Sequence, residues 1–164
     1  MTVTGGHNAR VSLAALICVK PGCRPRLIYR VHRRRARSRD RRKGFTEADY
    51  ARLLDAAHQQ LGGPLVVVWD NLNTHVSRAM GELVATRDWL TVFQLPPYAH
   101  ELNPVELVWS HLKRSLASLA KRTITELTAL VRTRLRRMQY RSGLLDGFLA
   151  STRLDLTPFC NPRN

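Results

Sequence analysis

Residues Leu65–Trp69 (LVVVW) form an unbroken apolar run, rich in β-branched side chains, between Gly62-Gly63-Pro64 and Asp70-Asn71. A run this short, with breakers at one end and turn-forming residues at the other, predicts a strand rather than a helix. Being apolar on both faces, it belongs in the middle of a sheet covered on both sides. The surrounding chain alternates between the two periods. Residues 10–19 (RVSLAALICV) and 26–31 (RLIYRV) flank Pro21-Gly22 and predict a hairpin. Thr46 precedes Glu47 and Asp49 as a helix-capping hydroxyl, and Tyr50, Leu53, Leu54, Ala57 and Leu61 follow at helical spacing. A short helix over 77–87, a strand over 90–95 closed by Pro96-Pro97, a helix from Asn103-Pro104 to about residue 120 and a helix over 123–140 complete the series. Strands alternating with helices predict a layered α/β domain over residues 1–141. Gly143, Gly147, Pro158 and Pro162 assign residues 142–164 to a loose tail.

Charge narrows the partner. Lys and Arg number 27 against 12 Asp and Glu, a net charge of +15, and a field this positive predicts a polyanion, DNA above all. The densest run is Arg33, Arg34, Arg35, Arg37, Arg39, Arg41, Arg42 and Lys43. It repels itself and reads as an exposed loop contacting DNA backbone without reading sequence; a merely solvated loop has the same composition. No apolar run approaches the roughly 20 residues of a membrane span. MTVTGGHNAR shows no basic region followed by an apolar stretch, so no leader is expected and the protein is placed in the cytoplasm, at the nucleoid. Cys18, Cys23 and Cys160 are odd in number and form no CxxC pair, which argues against both a disulfide framework and a zinc finger.

Two carboxylates stand out. Asp70 ends the apolar strand, where α/β sheets collect ligands; Asp-Asn is also ordinary turn chemistry. Glu106 lies three residues after Asn103, with Pro104 between them, which is equally the pattern of a capping box. Together, a carboxylate on a strand end and one on a helix start can meet at one rim of a sheet and offer the oxygen ligands that Mg²⁺ takes. Two such ions can activate a nucleophile and stabilise a leaving oxygen in phosphoryl transfer.

WDNLNTH at 69–75 and LPPYAHELNPVELVWSHLK at 95–113, with 35 residues between Asp70 and Glu106, resemble the mariner-like transposases, in particular the bacterial insertion-sequence six-thirty family. The resemblance runs from about residue 2 to about residue 140. It implies an RNase H-like fold and a DDE triad in which Asp70 matches the second Asp and Glu106 the Glu. Asn71, Asn73, His75 and Asn103 match the supporting polar residues. His100 stands where the family often has Pro. The resemblance further implies two Mg²⁺ (or Mn²⁺) ions, cutting of transposon ends, joining of the 3′-hydroxyl to target DNA, and a homo-oligomeric parent.

The family's first strand and its Asp have no counterpart ahead of residue 10. The acids before Asp70 are Asp40, Glu47, Asp49 and Asp55, and none is expected to end a strand. The expectation is therefore an RNase H-like domain lacking its first central strand and inactive by itself. The rival reading is a non-catalytic, basic nucleic-acid-binding remnant of such an enzyme.

Overall fold

The computed structural model describes residues 1–4, 10–33, 44–117 and 123–153. In chain order these form β1 (Thr2–Thr4), β2 (Arg10–Cys18), β3 (Arg26–Arg33), α1 (Glu47–Leu61), β4 (Leu65–Trp69), α2 (Arg78–Ala85), β5 (Leu90–Gln94), a 3₁₀ turn (His100–Leu102), α3 (Pro104–Leu116), α4 (Ile124–Gln139) and α5 (Ser142–Ser151). The architecture is mixed α/β with two small sheets. In one, β1, β2 and β3 are antiparallel neighbours; in the other, β4 and β5 are parallel.

Side-chain alternation on β2 separates two cores. Val11 and Leu13, with Leu27 of β3, pack under α3, α4 and α5 through Val108, Leu112, Val131, Leu135 and Leu145. Ala14 and Cys18, with Ile28, face the other way and join Leu53, Leu54 and Ala57 of α1, the inward residues of β4, and Met80 of α2. The helices are closed by their own sequence. Thr46 and Asp49 form a capping box at the start of α1, and Gly62 takes the left-handed conformation at its end (φ 66°). Thr123 and Glu126 form a second box at the start of α4.

The structure corrects two expectations and adds one short strand. β4 is not covered on both sides: Leu65, Val67 and Trp69 are buried, but Val66 and Val68 are 70% and 55% exposed. The α3–α5 layer packs on the first sheet and leaves that face of β4 open. The stretch from Ser142 is helical over Ser142–Ser151 rather than loose, with Leu145 and Leu149 buried. Gly143 and Gly147 lie beside that apolar stripe without ending the helix; residues 154–164 fall outside the described set. Ahead of residue 10 there is a strand, β1, too short and polar to carry a periodic signal.

Among the described residues no helix is long and apolar enough to cross a membrane. Cys18 is buried and Cys23 exposed, both as free thiols, and burial pushes the Cys18 thiol up to about 12.

Candidate active site

Among the described residues the two sheets are not hydrogen-bonded to each other. Between β2 and β4 lies a cavity of about 700 Å³, lined by consecutive residues from Leu13 to Cys18 on one side and Leu65 to Asp70 on the other. A strand lines a space with every residue, not every second one, when it presents its edge. Backbone pairing agrees. Leu13 bonds Met1 through both its N–H and its C=O, so by alternation Ala15 and Ile17 aim their backbone groups past the end of β1 into the slot. On β4, Leu65 and Trp69 bond toward β5 and Leu95, which leaves the backbone groups of Val66 and Val68 facing the slot.

The slot is lined by four of the residues singled out from sequence. Asp70, His75, Asn103 and Glu106 all line it. Asp70 leaves the end of β4, and its loop is fixed to the end of β5 by Leu95 N–H to Trp69 O (2.8 Å) and by Asn71 Nδ2 to Leu95 O (2.8 Å). Glu106 stands in the first turn of α3. Asn103 caps that helix, its Oδ1 accepting from Val105 N–H at 3.1 Å. The expected reciprocal half of the capping box is absent: no hydrogen bond of the Glu106 carboxylate is seen among the described residues, and the side chain is exposed. The Met1 ammonium feels both carboxylates. Burial lowers its pKa below the ordinary value, while the negative charges of Glu106 and Asp70 oppose that lowering and Lys113 adds to it.

His75 sets Asp70. Its Nδ1 lies 2.9 Å from Asp70 Oδ1 and 3.2 Å from the Asp70 carbonyl oxygen; both are acceptors, so Nδ1 donates. The ring is stacked on Trp69 (centroids 4.4 Å apart, 9° between planes) and meets Tyr50 edge-on at 4.6 Å. The hydrogen bond from His75 holds the Asp70 carboxyl below the usual carboxylate range, against burial, with help from His75 and His100 charge and the Leu72 N–H. Burial, with Asp70 and Asp49 nearby, pushes the Tyr50 phenol up to about 12. His75 Nε2 and Trp69 Nε1 are buried without a hydrogen-bond partner among the described residues.

Residues 4–130 match the model of the DDE superfamily endonucleases. The chain belongs to that family. The matched span begins at Thr4, the last residue of β1, and runs through the first half of α4, taking in Asp70, Glu106 and all of the slot's lining except Met1. No curated protein matches the chain. Membership in the DDE superfamily endonucleases supports a transposase-like nuclease function and implies DNA as the substrate.

Not every expected residue comes to the site. Asn73 is exposed, makes no hydrogen bond among the described residues and does not line the cavity. Arg33 is exposed at the far end of β3; Arg34, Arg35, Arg37, Arg39, Arg41, Arg42 and Lys43 lie outside the described residues. Two neighbours of Asp70 escaped the sequence reading. Tyr50 looked like an ordinary position on the apolar stripe of α1, and His100 like an incidental departure in a turn. Among the described residues no group of three or more His, Cys, Asp and Glu side chains is placed to hold a metal ion. Asp70 and Glu106 are oxygen donors of the kind Mg²⁺ takes, and Mg²⁺ is commonly held by one or two carboxylates plus water. The donors present fit such an ion in type and fall one carboxylate short of a triad.

Proposed function

We propose that this chain supplies the second and third carboxylates of a DNA transposase catalytic domain with an RNase H-like sheet, of the mariner-like, insertion-sequence six-thirty kind. The observation that carries the reading is the convergence of Asp70 and Glu106 on one cavity from two different elements. Divalent ions, when bound, would activate a nucleophile and stabilise the leaving oxygen of a phosphodiester. The chain's own residues prepare for this. His75 and the Leu72 N–H keep Asp70 ionised and aimed into the slot. Asn103 takes over capping of α3, so Glu106 is free to bind. The basic surface brings the phosphodiester in.

The first carboxylate, in this reading, arrives on a strand from outside residues 1–164 that fills the slot and pairs with the open edges of β2 and β4. Cutting, strand joining and the dimeric or larger assembly belong to the protein that contains this strand. The 164-residue chain by itself neither cuts nor joins DNA. Asp70 and Glu106 are the only acids among the described residues that line the slot, which also favours a second reading, a basic nucleic-acid-binding remnant.

Nicking of supercoiled DNA tests the pair. The isolated chain in Mg²⁺ or Mn²⁺ leaves plasmid intact, and a version extended upstream by an Asp-bearing strand nicks it. Asp70→Asn and Glu106→Gln each abolish that nicking. Metal-dependent cleavage by the unextended chain, or cleavage that survives Asp70→Asn, overturns the proposal; an extended chain that binds DNA without cutting selects the remnant.

A further inference from the structure

A second concave surface lies along the outer edge of β3, away from the carboxylates. It encloses about 750 Å³ between α4, which supplies Arg132, Thr133 and Arg136, and the start of α1, where Phe45 precedes the helix and Asp49 lies in its first turn. Arg30, His32 and Arg33 come from β3 itself. β2 and β3 stand between this groove and the slot that holds Asp70, a width of roughly 10 Å at the usual strand spacing.

The groove concentrates positive charge that the described residues do not neutralise with carboxylates. Arg132 and Arg136 are four residues apart, on one face of α4, a like-charge pair that weakens a helix unless an anion lies over it. Among the described residues no carboxylate pairs with Arg30, Arg33, Arg132 or Arg136. The one acid in the wall, Asp49, is engaged by Thr46 at the cap of α1 and by Arg52 at 3.2 Å. Arg30 is braced, its guanidinium donating to the Arg52 carbonyl at 3.3 Å. The fields of Arg136 and Arg132 both reach the Tyr29 hydroxyl, although burial, raising its pKa, is the larger influence there. Several unpaired guanidinium groups around one concave surface fit consecutive phosphates of a nucleic-acid strand, since Arg offers a planar fork of donors matched to phosphate oxygens.

We propose that the β3–α4 groove binds the sugar-phosphate backbone of duplex DNA through Arg132, Arg136, Arg30 and Arg33, without reading sequence. It is a holding surface separate from the site of chemistry. The proposal rests on the reading of the protein as DNA-acting and adds where the duplex is gripped.

Fluorescence anisotropy of the full 164-residue chain on a random 20-base-pair duplex, titrated with salt, tests it. Each phosphate contact contributes about 0.9 to the slope of log affinity against log salt. Arg132→Gln/Arg136→Gln is expected to flatten that slope by about 2 and to weaken binding roughly ten- to a hundredfold near physiological salt, equally on unrelated sequences. Arg24→Gln/Arg78→Gln removes the same charge elsewhere and is expected to change the slope far less. An aryl azide on Thr133→Cys, in a Cys23→Ser/Cys160→Ser background that leaves the arginines in place, is expected to crosslink to the duplex, and the same background without Thr133→Cys is not. Equal slopes for groove and control variants, or no crosslink, overturn the groove while leaving DNA binding intact. No binding of duplex by the unaltered chain overturns the underlying reading instead. A larger groove-dependent loss on an RNA hairpin than on the duplex overturns the choice of DNA.

Discussion

His75 holds Asp70 from a ring that is itself clamped, with Nδ1 2.9 Å from Oδ1 and the imidazole stacked on Trp69 and edge-on to Tyr50. Position and protonation of the carboxylate thus both depend on one buried side chain. His75→Ala removes ring and donor and is expected to cost about 2–3 kcal/mol of stability. His75→Phe keeps most of the stacking and loses the donor, so it costs less. Both variants should move the Asp70 titration upward toward the ordinary carboxylate value, followed by carbon NMR of the labelled carboxyl. An Asp70 titration unchanged in both variants would show that His75 only packs.

Asp55 and Arg87 tie α1 to the turn before β5 through two hydrogen bonds, Nε to Oδ1 at 2.7 Å and the second through a terminal guanidinium nitrogen to Oδ2 at 3.0 Å. Hydrogen bonding by Arg87 holds the Asp55 carboxyl below the usual range, against burial. Because the folded pKa is depressed, this contribution is complete above the unfolded value near 4 and is lost as pH falls through the folded one. Asp55 is 40% exposed in its side chain, so screening limits the effect to about 1 kcal/mol. Urea denaturation between pH 7 and 3 should therefore show a smaller loss for Asp55→Asn than for the parent. Identical pH dependence in the two would mean the pair adds nothing.

What the sequence revealed follows from range. Every strand and helix set by a local signal was legible: the apolar runs of β2 and β4, Thr46 and Gly62 bounding α1, Asn103 and Pro104 opening α3. Asp70 and Glu106 were legible as candidates because strand ends and helix starts are written locally. Their meeting at one cavity depends on how β4 and α3 pack, which no local pattern encodes. The open face of β4 was misread for the same reason, since LVVVW reports its own polarity and not what covers it. α5 was missed because Gly143 and Gly147 weigh as breakers in isolation, whereas Leu145 and Phe148 are held by contacts with distant elements. The groove beside β3 joins residues about a hundred positions apart in the chain.

Asn103 and Glu106 separate capping from chemistry. Asn103→Ala removes the acceptor of the Val105 N–H and is expected to cost about 1 kcal/mol. Glu106→Gln removes a charge that caps nothing, so thermal stability should change by less than about 0.5 kcal/mol. Added Mg²⁺ should raise the melting temperature of the parent slightly and that of Glu106→Gln less. A Glu106→Gln loss equal to that of Asn103→Ala would return Glu106 to a structural role.

Leu145 is fully buried in the core formed with α3 and α4. Leu145→Ala is expected to destabilise the chain by about 2–5 kcal/mol, as deleting a packed leucine does. Chemical denaturation checks it; a loss under 1 kcal/mol would mean that α5 is peripheral to the fold.

β4 offers the sharpest contrast between faces, because neighbouring valines meet opposite surroundings. Val67 is 7% exposed and packs toward α1, whereas Val66 and Val68 lie in the open with Phe93 of β5 beside them. An uncovered apolar face next to unpaired strand edges invites contact with another chain. Val67→Ala is expected to cost roughly 1–3 kcal/mol. Val66→Lys/Val68→Lys should leave the melting temperature nearly unchanged, because the lysines stay in water, and should lower self-association measured by sedimentation velocity. If the double lysine variant unfolds, this face is covered in solution and β4 lies inside a larger core.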